Sequence, residues 1–179
     1  MASPVVRQLP ERDRAWLRST LRERWPHELL VGGGRVREIS ELSALVAVEG
    51  GERVGLLTYV IEGEVAELVT LDALRAGAGV GASLIATLAE LAQAAGARRI
   101  LAMVTNDNVR GLRYYQRLGF RLSELRAATI EELRAHKPWI PAKGLDDIPS
   151  ATRSNSFATC RPVIGLLCRF VITSFPESG

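Results

Sequence analysis

The stretch Val65–Phe120 decides the fold, and its centre is the turn Arg75-Ala76-Gly77-Ala78-Gly79-Val80-Gly81. An apolar run, Val65–Leu71, leads through a short loop to three glycines at alternate positions, and an amphipathic pattern begins near Val80. Glycines at the start of a helix remove side chains from the backbone, so that free N–H groups and the positive end of the helix dipole face one point. The turn therefore predicts a binding site for an anionic group.

The composition is that of one soluble globular domain. The 179 residues are 47% hydrophobic, which is enough for a single core. Residues 1–14 are too charged for a signal peptide and the apolar run Val163–Phe175 is too short to span a bilayer, so we expect a cytoplasmic protein without a membrane partner. A net charge of +3 is too small to indicate nucleic acid as a partner. Cys160 and Cys168 fit no metal or redox spacing, so we expect no bound metal.

The residues before the turn predict a helix followed by an antiparallel meander. Val5–Leu9 is typical of a first strand, and Asp13 is a candidate cap for a helix that runs to Arg24. The polar, glycine-rich residues 27–42 predict either a mobile substrate lid with a short irregular helix or a passive loop. Three later runs, separated by tight turns, predict consecutive antiparallel strands: Leu45–Glu49, Arg53–Ile61 and Val65–Leu71.

The residues after the turn predict alternating helices and strands. Apolar residues recur at helical spacing up to Gly96, and Asn108 is a candidate cap for a second helix. The predicted elements are Val80–Ala95 (helix), Arg99–Thr105 (strand), Val109–Leu118 (helix), Phe120–Leu125 (strand) and Thr129–His136 (short helix). This order predicts an α/β or α+β layer around the meander.

Three kinds of glycine turn compete at this position. A nucleoside triphosphate loop ends in Gly-Lys-Ser/Thr, whereas this turn ends in Gly81-Ala82-Ser83 and lacks the lysine. The dinucleotide pattern GxGxxG/A is met nominally by Gly77, Gly79 and Ala82, but five residues separate the strand from the first glycine. On these residues alone, a dinucleotide site and a purely structural turn stay open as less favoured alternatives.

A second signal, Asn106–Phe120, resembles the second half of the cofactor site in the GNAT superfamily of N-acetyltransferases. There, an asparagine after the fifth strand precedes a helix with a tyrosine four residues before Gly-Phe, and the matching positions are Asn108, Tyr115, Gly119 and Phe120. The glycine turn resembles the pyrophosphate loop of the same superfamily, Arg/Gln-x-x-Gly-x-Gly/Ala. Gly79 and Gly81 fit the two glycine positions of that loop.

The match departs from the loop pattern at its basic position, which falls on Ala76, whereas Arg75 lies one residue earlier. Backbone contacts to phosphate need no particular side chain and are unaffected. The resemblance covers Val5 to Pro149 and extends to an uncharacterised bacterial branch of the superfamily. It implies one GNAT-like α/β (α+β) domain over residues 1–149, with a mixed, mostly antiparallel sheet, helices on both faces and splayed strands at the cofactor site.

The activity that the resemblance implies is direct transfer of an acetyl group from acetyl-CoA to a primary amine, with no metal. The acceptor would be a small-molecule or peptide amine, and the protein would be a monomer or homodimer. The alternative on the same fold is a catalytically silent acyl-CoA binding or sensing module. The implied cofactor-binding residues are Val69, Leu71, Arg75, Gly77, Ala78, Gly79, Val80, Gly81, Ala82 and Asn108.

Two residues are candidates for proton transfer. Tyr115 would protonate the leaving thiolate, since the pKa of a phenol, about 10, is close to that of a thiol, about 8.5; its alternative role is an ordinary half-buried aromatic. Glu67, among apolar neighbours in the strand before the turn, would accept the proton of the amine, or it is a charge on a solvated face. His27, His136 and an ordered water chain are less favoured as the base.

The C-terminal segment differs from the rest of the chain. Residues 150–157 are rich in Ser, Thr and Asn, and the apolar run that follows has no alternation. We expect Ser150–Gly179 to be a poorly packed tail without site residues, and the alternative is that Val163–Phe170 supplies the last strand.

Overall fold

The computed structural model describes residues 4–25, 29–32, 35–75, 79–126, 143–148 and 167–172. They form two compact units, one up to Leu101 and one from Ala102 to Ile172. The strands are β1 (Val5–Gln8), β2 (Leu29–Gly32), β3 (Arg35–Glu38), β4 (Ser43–Glu49), β5 (Glu52–Glu62), β6 (Val65–Ala73), β7 (Arg99–Thr105), β8 (Arg121–Arg126) and β9 (Leu167–Ile172). The α-helices are α1 (Arg14–Arg24), α2 (Val80–Ala94) and α3 (Val109–Arg117), and short 3-10 turns cover Glu11–Asp13, Ile39–Glu41 and Leu145–Asp147.

The first unit contains an antiparallel sheet in the order β1, β4, β5, β6. On one face, Leu17 and Leu21 of α1 pack with Leu56 of β5 in a buried cluster. On the other face, α2 lies so close to Gly55 that an added Cβ would overlap the side chain of Val80. Because neighbouring strand residues point to opposite faces, the two helices cover opposite sides of the sheet. This agrees with the complete burial of residues 54–59 of β5.

A β-bulge interrupts the pairing of β5 with β6. Thr58 is opposite Thr70, with their hydroxyl oxygens 2.8 Å apart, but the next residue of β5, Tyr59, is opposite Leu68. Val69 is therefore an extra residue on β6. In a regular strand Glu67, Val69 and Leu71 would point to one face, and the bulge breaks this alternation.

Most predicted elements of the first unit are observed within one or two residues of their predicted ends. Asp13 precedes α1 but makes no capping bond, because its carboxylate pairs with Arg53 at 3.0 Å. Leu29–Gly32 and Arg35–Glu38 pair as the antiparallel strands β2 and β3, and the 3-10 turn at Ile39–Glu41 follows. The expected irregular helix is thus only one turn, and the β2–β3 pair was missed. His27 lies outside the described residues.

The second unit contains α3 and the antiparallel pair β8–β9. The helix and β8 lie where the sequence predicted them, and β9 pairs with β8 from Arg121 opposite Val171 to Arg126 opposite Leu167. Leu167–Ile172 is thus a strand, as the alternative for this segment expected, although it starts four residues later. The predicted helix Thr129–His136 and most of residues 150–179 lie outside the described residues, so the domain boundary at residue 149 stays a prediction.

None of the helices in the described ranges is long and apolar enough to cross a membrane.

Truncation tests the C-terminal boundary. A chain that ends at Pro149 lacks β9, and because β8 would lose its hydrogen-bonded partner, we expect a lower Tm, with about 2–4 °C for each kcal/mol lost. A chain that ends at Ile172 keeps β9 and serves as the control in the same thermal melt. An unchanged Tm in the shorter chain would return the segment to the role of a tail.

Candidate cofactor and active site

The start of α2 carries the geometry expected of an anion site. Gly79 is the N-cap, with a left-handed φ of 69°, and its carbonyl accepts the first helical hydrogen bond from the Ser83 N–H at 2.9 Å. The amides of Val80, Gly81 and Ala82 consequently have no partner within the helix. An added Cβ at Gly79 would meet no atom within 4 Å, so a ligand can approach the backbone there. Gly77 and Ala78 lie outside the described residues.

The residues that lead into the turn are held by the neighbouring strands. The N–H groups of Leu74 and Arg75 both donate to the carbonyl of Val54 on β5, at 2.9 and 3.2 Å. The Arg75 guanidinium forms an ion pair with Glu49, the last residue of β4. Arg75, predicted as a phosphate contact, is therefore fixed through both its backbone and its side chain.

The bulge interrupts the β5–β6 ladder in the strand before the turn. Val69 is the extra residue, so its peptide groups lie outside the regular ladder with β5. Its half-buried side chain packs against the cluster under α1. Glu67, two residues earlier, is also half-buried. Val69 and Glu67 were both predicted as site residues, but the irregular backbone at this position was not.

Asp72 forms a buried polar contact that the sequence did not predict. Only 8% of the residue is exposed, and its carboxylate accepts hydrogen bonds from Arg24 Nε at 2.9 Å and from Trp25 Nε1 at 2.7 Å. The contact ties the end of α1 to the end of β6, three residues before Arg75. The sequence does show an acidic residue, Asp72, at the end of an apolar run, which is a sign of a buried polar contact. Its partners could not be predicted because they are about fifty positions away in the chain.

The second unit contains the other two predicted site residues. Asn108 caps α3, as predicted, because its Oδ1 accepts a hydrogen bond from the Gly111 N–H at 2.8 Å. Tyr115 is 9% exposed and contacts the rings of Tyr114 and Phe120 edge-on, with centroids 5.7 and 5.3 Å away. Burial raises the pKa of the Tyr114 hydroxyl. The packing keeps the Tyr115 ring in place, and its role in proton transfer stays a prediction.

In the part of the chain that the structure describes, no three His, Cys, Asp or Glu side chains are grouped so that they could hold a metal ion.

Comparison with known proteins identifies the class. The model of the Acetyltransferase (GNAT) family matches residues 10–120, and the chain therefore belongs to this family. YdhI, an uncharacterized protein of Bacillus subtilis, is 35% identical over 115 residues, which cover 64% of this chain and 71% of YdhI.

Two solved structures share the fold. The IAA acetyltransferase of Bacillus cereus has a TM-score of 0.67 at 20% identity, covering 95% of this chain and 99% of that one. A GNAT family acetyltransferase of Elizabethkingia anophelis with acetyl-CoA bound has a TM-score of 0.62 at 11% identity, covering 97% of this chain and 100% of that one. The α+β fold class and the family predicted from the sequence are confirmed.

Replacing Asp72 tests the contact between α1 and β6. Asp72→Asn keeps the shape of the side chain but removes the charge that pairs with Arg24, and we expect a loss of about 1–3 kcal/mol in the free energy of unfolding. Asp146→Asn, at an exposed position of the second unit, is the control, and urea titration is the measurement. Equal stability of the Asp72→Asn variant and the wild type would show that the contact does not stabilise the fold.

Proposed function

We propose that the protein is an N-acetyltransferase that moves the acetyl group of acetyl-CoA directly to a primary amine. The observation that carries the proposal is the glycine-capped start of α2, open to a ligand, at the end of a bulged strand in a chain of the acetyltransferase family. The acetyl-CoA bound to the related Elizabethkingia protein supports the same cofactor.

The described residues fit such a cofactor. Amides at the start of α2 favour the pyrophosphate, because unpaired N–H groups and the helix dipole attract negative charge. Residues 77 and 78 would complete this cradle. The peptide groups around Val69 and Leu71 would bind the pantetheine arm, and Asn108 would contact it from its cap position. Arg75 would add a positive charge at the phosphates.

The reaction needs two proton transfers besides the exchange of bonds. The amine nitrogen attacks the thioester carbon, a C–N bond forms, and the C–S bond breaks. We propose that Glu67 accepts the amine proton, directly or through water, and that Tyr115 gives a proton to the departing thiolate. Acetyl-CoA supplies the activated acyl group, and the protein supplies orientation and proton transfer.

The acceptor class and turnover are tested together. Free thiol is monitored while the protein is mixed with acetyl-CoA and a panel of small amines and peptides. Thiol release with at least one amine supports the enzyme. CoA binding without release across the panel would favour the alternative, a silent acyl-CoA binding or sensing module.

Gly79→Asp tests the cofactor site. A carboxylate at this position adds bulk and negative charge where the pyrophosphate would lie, so we expect acetyl-CoA binding to fall below detection in calorimetry. Gly63→Asp is a matched control, because Gly63 is also exposed in a turn, with a φ of 57° and no neighbour within 4 Å of an added Cβ. Unchanged affinity in a folded Gly79→Asp variant would exclude this site.

Tyr115→Phe tests the proposed proton donor. The ring still packs against Tyr114 and Phe120, so acetyl-CoA affinity should be kept, whereas kcat should fall about 10²-fold or more because the donor is lost. Tyr114→Phe is the control, measured by the same thiol assay. A wild-type kcat in the Tyr115→Phe variant would leave Tyr115 as a packing residue.

A further inference from the structure

We propose that Glu49 is a positioning residue that holds the Arg75 guanidinium beside the start of α2 and thereby strengthens acetyl-CoA binding. The inference rests on the proposed function, and it assigns a role to a carboxylate that the transfer reaction itself does not use.

Glu49 lies on the α2 side of the sheet. Ala47 is opposite Gly55, where an added Cβ would point at Val80 of α2, and Glu49 is two residues beyond Ala47 on the same strand. Residues two apart on a strand point to the same face. The acidic side chain is therefore on the face that also carries the N-terminus of α2.

A carboxylate on that face requires an explanation, because it repels the phosphates that the helix start attracts. Only 16% of the Glu49 side chain is exposed, so its charge is costly unless it is paired. Arg75 provides the partner, and 46% of the Arg75 side chain remains exposed. The guanidinium carries five N–H donors, of which a carboxylate engages at most two. The exposed donors remain available to a phosphate.

The backbone of Arg75 is fixed as well. Its N–H and that of Leu74 donate to the carbonyl of Val54, an extra residue on β5, since Ala47 is opposite Gly55 but Val48 is opposite Arg53. Because both its backbone N–H and its guanidinium are held, Arg75 loses little conformational freedom when an anion binds. Glu49 thus contributes by fixing the direction of a cation whose own charge does the binding.

The alternative role of Glu49 is to neutralise the charge of Arg75. The two roles predict opposite changes in acetyl-CoA affinity when Glu49 is removed. If Glu49 only cancels the charge of Arg75, its removal strengthens the binding of a polyanion. If Glu49 positions Arg75, its removal weakens binding although the site becomes more positive.

The experiment measures acetyl-CoA affinity by calorimetry and kcat and KM by thiol release, for Glu49→Gln, Glu49→Asp, Arg75→Gln and the double variant Glu49→Gln/Arg75→Gln. We expect Glu49→Gln to weaken affinity about 5- to 20-fold and to raise KM with little change in kcat. The double variant should bind no more weakly than Arg75→Gln alone, because the two residues act as one unit. Glu49→Asp should also lose affinity, since it keeps the charge but shortens the reach.

Glu52→Gln is the matched control. Glu52 is directly opposite Glu49 in the hairpin and is exposed, so this variant makes the same charge change at the same end of the sheet without touching Arg75. Its affinity should equal or slightly exceed that of the wild type. Thermal melts without ligand show whether each variant is folded.

Affinity that is equal or tighter in a folded Glu49→Gln variant would overturn the inference while leaving the proposed function intact. Additive losses in the double variant would do the same. Absence of acetyl-CoA binding in the wild type would overturn the proposed function, and this inference with it.

Discussion

The close approach of β5 to α2 at Gly55 is the constraint on which the first unit depends. Gly55 is opposite Ala73, the last residue of β6, and a Cβ added to it would overlap the side chain of Val80 and crowd that of Leu84 in the first turns of α2. The loop from β6 to α2 therefore begins and ends against the same residue. A side chain at position 55 would push α2 away from the sheet and open the loop. Because glycine has no side chain, the start of α2 stays next to the end of β6.

Three polar contacts hold the residues where this loop begins. Asp72 binds the end of α1, the Val54 carbonyl accepts the amides of Leu74 and Arg75, and Glu49 pairs with the Arg75 side chain. Each contact comes from a different element. A loop that must present backbone amides to an anion benefits from such anchoring, because a preorganised site loses less entropy when it binds. In the proposed cofactor site, Gly79 would give the ligand access to the backbone, and the anchors would limit the conformational freedom that glycine brings.

Local features of this fold could be predicted from the sequence, whereas features that depend on strand register could not. The Asn108 cap follows from a side chain that reaches an amide three residues away. Asp13 looked equally suited to capping, but Arg53, forty residues later, competes for its carboxylate. The partners of Asp72 and Arg75 are likewise distant in the chain, and only the pairing of the strands brings them together. The β2–β3 pair was missed because each strand has only four residues and because β3, Arg-Val-Arg-Glu, carries three charged side chains.

The bulge at Val69 is the register effect with the greatest consequence for chemistry. In a regular strand, Glu67 and Leu71 would share a face. The pairing instead puts Glu67 opposite Val60 and Leu71 opposite Leu57, and residues three apart on β5 point to opposite faces. Val60 and Val69 both pack against the cluster under α1, which places Glu67 on the α1 side and Leu71 on the α2 side. β6 therefore directs the Glu67 carboxylate to the α1 side of the sheet and the Leu71 side chain to the α2 side. The bulged backbone at Val69 lies between these two residues. In the proposed reaction this separation keeps the negative charge of Glu67 on the opposite side of the strand from the helix start that would bind the phosphates.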